Sequence, residues 1–321
     1  MPKDAVRRKL GSGVLNRGDR LFFGITSAAS YFAFILVALI LVFLVAQALP
    51  ALKEQGLAFI YGSTWEVTPE KAVMQIGPML YGSVLIALLG VLLATPMAIA
   101  TAYLIVFILP KNAAKLATNL IDLLAALPSV IIGLWGVLVF TPIAQGWADF
   151  LHKYLGWIPL FSTEKGTTSL NSSPFIAGWI VAVMIVPIIT SVTREIFSQF
   201  DRELISGALA LGATRWTVFR RVILPTSSGG ITGGVLLGLG RAIGETVAIY
   251  YVLQLSMKIN LFQILEPRGG AIASWILSRF GEANEVEFHG LMAAGLVIFI
   301  TTLVINLIAN LIVNKAQPWR K

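Results

Sequence analysis

Cysteine is absent from the 321 residues. Disulfides, thiol nucleophiles and thiolate-held metals are thereby excluded. Histidine is nearly absent too. His152 and His289 are the only two, far apart in the chain, which argues against a histidine metal site. Charge is scarce: 12% of residues are Asp, Glu, Lys or Arg, where soluble domains carry about a quarter. No G-x-x-x-x-G-K-[ST] stretch occurs, so nucleotide hydrolysis by a phosphate-cradling loop of that kind is excluded. Also missing are internal repeats, heptad runs and low-complexity tracts. A membrane enzyme would need a nucleophile with a base. Ser83 and Ser129, inside apolar runs, read more simply as helix-packing residues.

What is plentiful is apolar sequence. Hydrophobic residues make up 57% of the chain, and the mean hydropathy is +0.82. The apolar runs far exceed the roughly ten residues of a barrel strand and lack its alternation. The expected fold is therefore an all-α membrane protein with six transmembrane helices. The spans fall at about 29–49, 76–109, 118–142, 174–193, 225–255 and 288–314, with Pro96, Pro128 and Pro187 bending three of them. The first could instead be a signal peptide, with Ala46-Gln47-Ala48 resembling a cleavage site. The apolar stretch beginning at Leu21 is longer than the roughly 7–15 residues of such a segment, which favours an uncleaved span.

Six spans put both termini on one side. Sixteen of the 24 Lys and Arg fall on that side and seven on the other. Basic residues mark cytoplasmic loops. Both termini, the segment 1–28 and the loop 194–224 are therefore expected in the cytosol of a multi-pass inner-membrane protein. The net charge of +8 belongs to these loops and does not call for nucleic acid.

The remaining basic residue, Arg241, lies inside the fifth span. Glu245 follows at i+4, on the same face if the helix is unbroken. An intramembrane charge is expensive and points to function. A guanidinium there suits a passing oxyanion, with Glu245 holding it and tempering its charge. A structural ion pair between helices is the other reading. Gly229/Gly233, Gly230/Gly234, Gly234/Gly238 and Gly240/Gly244 repeat at i+4, a spacing that lets helices approach closely, within the chain or across a dimer.

Within the loop, Phe200 to Leu211 has helical spacing, with Leu204, Ala208 and Leu211 on one face. Asp201 and Glu203 suit its start and Gly212 its end. A second segment, Thr214 to Val222, leads to Pro225, expected as a bend. Physical reasoning leaves two options, a helix lying on lipid or a protruding knob.

The spacing Ser206-Gly207-Ala208, three residues, Gly212, nine residues, Val222-Ile223-Leu224-Pro225 resembles the EAA loop of ABC importer permeases. Ser206 stands where that family has Glu, and Glu203 lies one turn earlier. The resemblance implies a type I importer permease architecture in which this helix docks on a cytosolic ATPase. Glu203, Ser206, Gly207, Ala208, Gly212, Arg215, Leu224 and Pro225 would then be the coupling residues. Gly238-Leu-Gly-Arg-Ala-Ile-Gly-Glu-Thr246 resembles the fifth-span signature of phosphate importer permeases, and Leu124 to Gly136 (LAALPSVIIGLWG), in the third span, resembles their PstC-type subunit. Sulfate and molybdate permeases share the Arg…Gly-Glu element but differ after the Glu, where Thr246 stands. The resemblance thus implies a non-catalytic subunit of a phosphate importer with Arg241, Glu245 and Thr246 in the pathway. Its implied partners are a PstA-type permease, two copies of an ATPase binding ATP and Mg, an external phosphate-binding protein and the lipid. Cofactors and metals in the chain itself are not expected. An ATP-independent anion channel is the alternative from another class.

Overall fold

The computed structural model describes residues 17–68, 70–259 and 261–316. Expectations for residues 1–16 lie outside the described residues. The chain divides into two compact units, 1–47 and 48–321. The first contains most of helix α1 (Arg17–Gln55), whose C-terminal end belongs to the second. Leu21, Phe32, Phe34 and Ile40 are all exposed, and a helix apolar all round is one built for lipid or for a partner.

The second unit opens with α2 (Ala58–Tyr61) and a small antiparallel hairpin, β1 (Trp65–Val67) and β2 (Ala72–Met74), with Trp65 opposite Met74. The long helix α3 (Gly77–Tyr103) follows, then α4 (Lys111–Ala126), α5 (Ser129–Trp135), α6 (Thr141–Leu155) and α7 (Pro174–Ser198). Next come α8 (Arg202–Ala210), α9 (Arg215–Val218), α10 (Leu224–Ile243), α11 (Val247–Val252), α12 (Ile272–Arg279) and α13 (Glu285–Ala316). Six helical stretches of the described chain are long and apolar enough to cross a membrane: Gly18–Gln55, Gly77–Ile108, Ser129–Leu155, Pro174–Ser198, Arg215–Ile243 and Glu285–Leu311.

Helix α7 is the centre of the second unit. It buries Ile176, Ile180, Ile185 and Ile189 against α3 and α10. Contact is close because the facing residues are small. A Cβ on Gly90 would lie 2.8 Å from Val181 Cγ1, and one on Gly178 would lie 2.9 Å from Leu89 Cβ. Gly234 and Gly238 of α10 meet Val192 and Ile189 in the same way, at 3.1 and 3.0 Å. The Gly234/Gly238 pair is therefore spent inside the chain, on α7, while Gly233 faces open space.

Among the described residues three helices widen into π turns, at Leu104–Ile108, Gly136–Phe140 and Phe219–Ile223. Each precedes a proline: Pro110, Pro142 and Pro225. In each, the residue before the proline donates its N–H five residues back: Leu109 to Leu104, Thr141 to Gly136, Leu224 to Phe219. Proline has no N–H and its ring crowds the carbonyl four residues back. The wider turn absorbs that conflict, and at the second and third sites the helical run continues.

Several boundaries differ from expectation. The third span was expected over 118–142, but the chain breaks at Leu127-Pro128. α4 ends at Ala126 with no buried residue, and the apolar stretch restarts at Ser129. The residue before a proline disfavours the α region, and Leu127 is extended, with ψ 133°. The span then runs to Leu155, through residues expected to be loop. The fifth span begins ten residues early, at Arg215, and Pro225 lies inside a continuous helical run rather than at a bend. It ends at Ile243, not Leu255. Part of the expected outer loop 256–287 is helix α12, which buries Ile272, Ser274 and Trp275.

Candidate functional site

Arg241 and Glu245 do not share a helical face, because the helix stops between them. Gly244 is the C-cap of α10, and α11 starts after Thr246. Among the described residues no ion pair joins the two charges. Each is placed at a helix end instead. Arg241 lies in the last turn of α10, where the carbonyl end of the helix dipole favours a cation. Glu245 is 7% exposed and its Oε1 accepts from Ala248 N at 3.2 Å, at the start of α11, where the N–H end favours a carboxylate. Thr246 closes the break with Oγ1 donating to Gly244 O at 3.1 Å. The expected charge pair is thus two separate helix-end contacts. Leu237, Arg241 and Gly244 form one exposed face, so the guanidinium points away from the core.

The position of α11 is fixed by packing. A Cβ on Gly133 would lie 2.9 Å from Ala248 Cα, so α5 and α11 touch backbone to backbone. On its other side, buried Ser274 of α12 donates to Thr246 O at 2.8 Å. Ser83 of α3 accepts from Ile272 N at 2.8 Å. Sequence reasoning assigned Ser83 to packing alone and did not find Ser274, since nothing in a lone serine signals which carbonyl it will meet.

In the basic loop, α8 starts at its N-cap Asp201, whose carboxylate accepts from Glu203 N at 2.9 Å. It ends at Gly212, with φ +83°. Gly212 N donates to Leu209 O and Ala213 N to Ala208 O, the paired bonds of a glycine-terminated helix end. Thr214 then caps α9, accepting from Thr217 N at 3.2 Å. Ile205 and Ala208 face inward, onto a cluster containing Phe197 and Val218. Of the three residues expected on one face, Ala208 turns inward, whereas Leu204 and Leu211 point outward: Leu211 is 91% exposed and Leu204 51%. Glu203, Ser206 and Gly207 are exposed beside them, and Ser206 Oγ bonds back to Arg202 O at 3.1 Å. Arg215 and Leu224 line an apolar cavity of about 810 Å³ with Tyr103, Phe107, Leu209 and Trp216. Pro225 is half-buried at the head of α10.

At the opposite end of α7 two buried carboxylates tie loops together. Glu266, 1% exposed, accepts from Glu164 N at 2.9 Å and from the Thr167 hydroxyl at 3.2 Å, and lies 3.7 Å from Arg268. Glu287 accepts from Trp65 Nε1 at 2.8 Å and lies 3.6 Å from Arg279.

Residues 95–321 match the family described as "Binding-protein-dependent transport system inner membrane component". The chain is 34% identical over 298 residues to "Phosphate transport system permease protein PstC 2" of Mycobacterium tuberculosis, covering 92% of each. It is 34% identical over 287 residues to PstC of Xylella fastidiosa, covering 87% of each. With PstC of Mycobacterium leprae it shares 35% identity over 305 residues, 94% of this chain and 95% of that one. The chain belongs to this family of ABC importer permeases. The permease also has the fold of an inward-facing MetNI methionine ABC transporter chain, with TM-score 0.53 at 14% identity, over 74% of the permease and 94% of that chain. It is a multi-pass membrane subunit without catalysis of its own, in a system that also uses an ATPase and a binding protein.

Proposed function

We propose that the permease forms half of the pathway of an ATP-driven phosphate importer. The observation that carries this reading is the likeness along the whole chain to permeases named for phosphate transport. The exposed guanidinium of Arg241 agrees with it, because a planar donor fork on an open face suits a tetrahedral oxyanion. Broken helices whose ends turn toward a shared site are how transporters build ion sites within the membrane. Glu245 and Thr246 serve that site by fixing the geometry of the break.

The second permease, of PstA type, would complete the pathway opposite Arg241. A phosphate-binding protein would deliver the anion outside, and an ATPase dimer with ATP and Mg would close inside. The outward face of α8, with Leu204, Ser206, Gly207 and Leu211, is the surface offered to that ATPase. The helical run from Arg215 to Ile243 carries its stroke toward the break. Both termini then lie in the cytosol with the basic loop.

Reconstitution in proteoliposomes with the binding protein, second permease and ATPase tests the reading. Labelled phosphate is expected to enter only with ATP, and sulfate and molybdate not to compete. Entry of sulfate or molybdate in its place would move the substrate, and phosphate flux without ATP would make the chain a channel.

A further inference from the structure

We propose that Ser274, on a helix whose first turn is held by Ser83, is the positioning residue that fixes the helix break at Gly244–Thr246 against the rest of the permease; this rests on reading that break as the anion site. Interrupting a helix creates orphan carbonyls on one side and orphan N–H groups on the other. Where the break packs against α5 and α12, backbone groups shut off from water need protein partners. The break answers most of this demand locally. Glu245 takes Ala248 N, Thr246 Oγ1 gives to Gly244 O, and Tyr250 N gives to Thr246 O at 3.0 Å. All of these groups travel with the break and say nothing about where it sits.

Ser274 is different. It is fully buried on α12, and it takes the second lone pair of the Thr246 carbonyl at 2.8 Å. Among the described residues it is the hydrogen-bond partner that reaches the break from another element. α12 has no side-chain cap of its own, since its N-cap is Ala271. Ser83 supplies one from α3: its Oγ, 2% exposed, accepts from Ile272 N at 2.8 Å and donates to Met79 O at 2.8 Å. Next to it, a Cβ on Gly82 would run into the carbonyl oxygen of Gly270, so α3 and the approach to α12 are in backbone contact. The chain of contacts runs from α3 through Ser83, Ile272 and Ser274 to the Thr246 carbonyl. It sets the offset between the break and the packed core, and with it the place where Arg241 is presented when the helix moves. Without the Ser274 hydroxyl the break shifts during the stroke, and ATP is spent without passage of the anion.

The test uses the whole importer in proteoliposomes and reads phosphate moved per ATP hydrolysed. Ser274→Thr and Ser274→Val have the same shape and differ in the hydroxyl. Thr is expected to hold the wild-type ratio. Val is expected to lower it about fivefold, the factor one buried hydrogen bond is worth. Ser83→Ala is expected to lower it in the same direction. Equal ratios for Thr and Val overturn the inference. So does a loss of uptake and hydrolysis in proportion, which marks a merely structural serine. If the wild-type importer moves no phosphate, the functional reading has failed and the inference falls with it. If it does and Val keeps the ratio, the inference alone has failed.

Discussion

At the scale of single residues, Arg241 and Glu245 sit on opposite sides of the helix break and make separate contacts. Arg241 faces outward at the carbonyl end of α10. Arg241→Ala is expected to reduce phosphate uptake to background while the complex still assembles, as judged by co-purification of the other subunits. Arg241→Lys keeps the charge but not the planar fork, and an intermediate rate is expected. Glu245 behaves differently. Its contact is with Ala248 N, and a neutral amide oxygen can accept the same bond. Glu245→Gln is therefore expected to retain most uptake, and Glu245→Leu to lose it, in the same assay. A carboxylate needed as a counter-charge would be lost equally in both.

At the scale of elements, α8 has two faces that differ in exposure rather than in polarity. Ile205 and Ala208 are half-buried, whereas Leu204, Gly207 and Leu211 are open. A cysteine scan over 203–211 is expected to crosslink to the ATPase at 204, 207 and 211 and to fail at 205 and 208. A helix lying on lipid would give no such pattern with the ATPase. The helix end is set by Gly212 at φ +83°. That conformation costs an L-residue about 1 kcal/mol or more, so the end of α8 is sharply defined. Among the described residues, Ser206 Oγ donates to Arg202 O of its own helix.

At the scale of the molecule, buried carboxylates join segments far apart in sequence. Glu266 ties residues 164–167 to 266–268 from an almost fully buried position. Truncating one partner of a buried charged network costs about 3–5 kcal/mol. Glu266→Ala is expected to lower the midpoint of thermal unfolding in detergent, whereas Glu164→Ala, at an exposed partner, lowers it little.

How much of this is legible in the sequence follows from the kind of signal. Long apolar runs announce helices, and the six-helix plan follows from them. The end of α8 was legible because Gly212 is a local cap whose chemistry is written in its own residue. The break after Ala126 was obscured because residues on both sides of Pro128 are apolar, so hydropathy runs across it. The helix to Leu155 was hidden by Gln145, Asp149 and Lys153 among its apolar residues. The separation of Arg241 from Glu245 had a signal, Gly244, but the i+4 spacing presumes the continuity that Gly244 ends. Contacts such as Ser274 with Thr246 arise from folding of segments 28 residues apart, and no local pattern encodes them.

The wide turn at Phe219–Ile223 has a consequence for the length of the chain. A π turn holds one residue more than an α-turn needs, and the helices on its two sides stay in phase around it. The extra residue and Pro225 belong together, since the proline is what makes the wide turn favourable. Removing Val222 alone forces the proline into a regular helix. Removing Val222 together with Pro225→Ala returns an ordinary helix, and uptake is expected to survive. Removing Leu236, in the narrow-turned part of α10, turns everything before it by about 100° relative to Arg241 and is expected to abolish uptake. The permease thus carries a place where its length can change without a change of phase, set between α8 and Arg241.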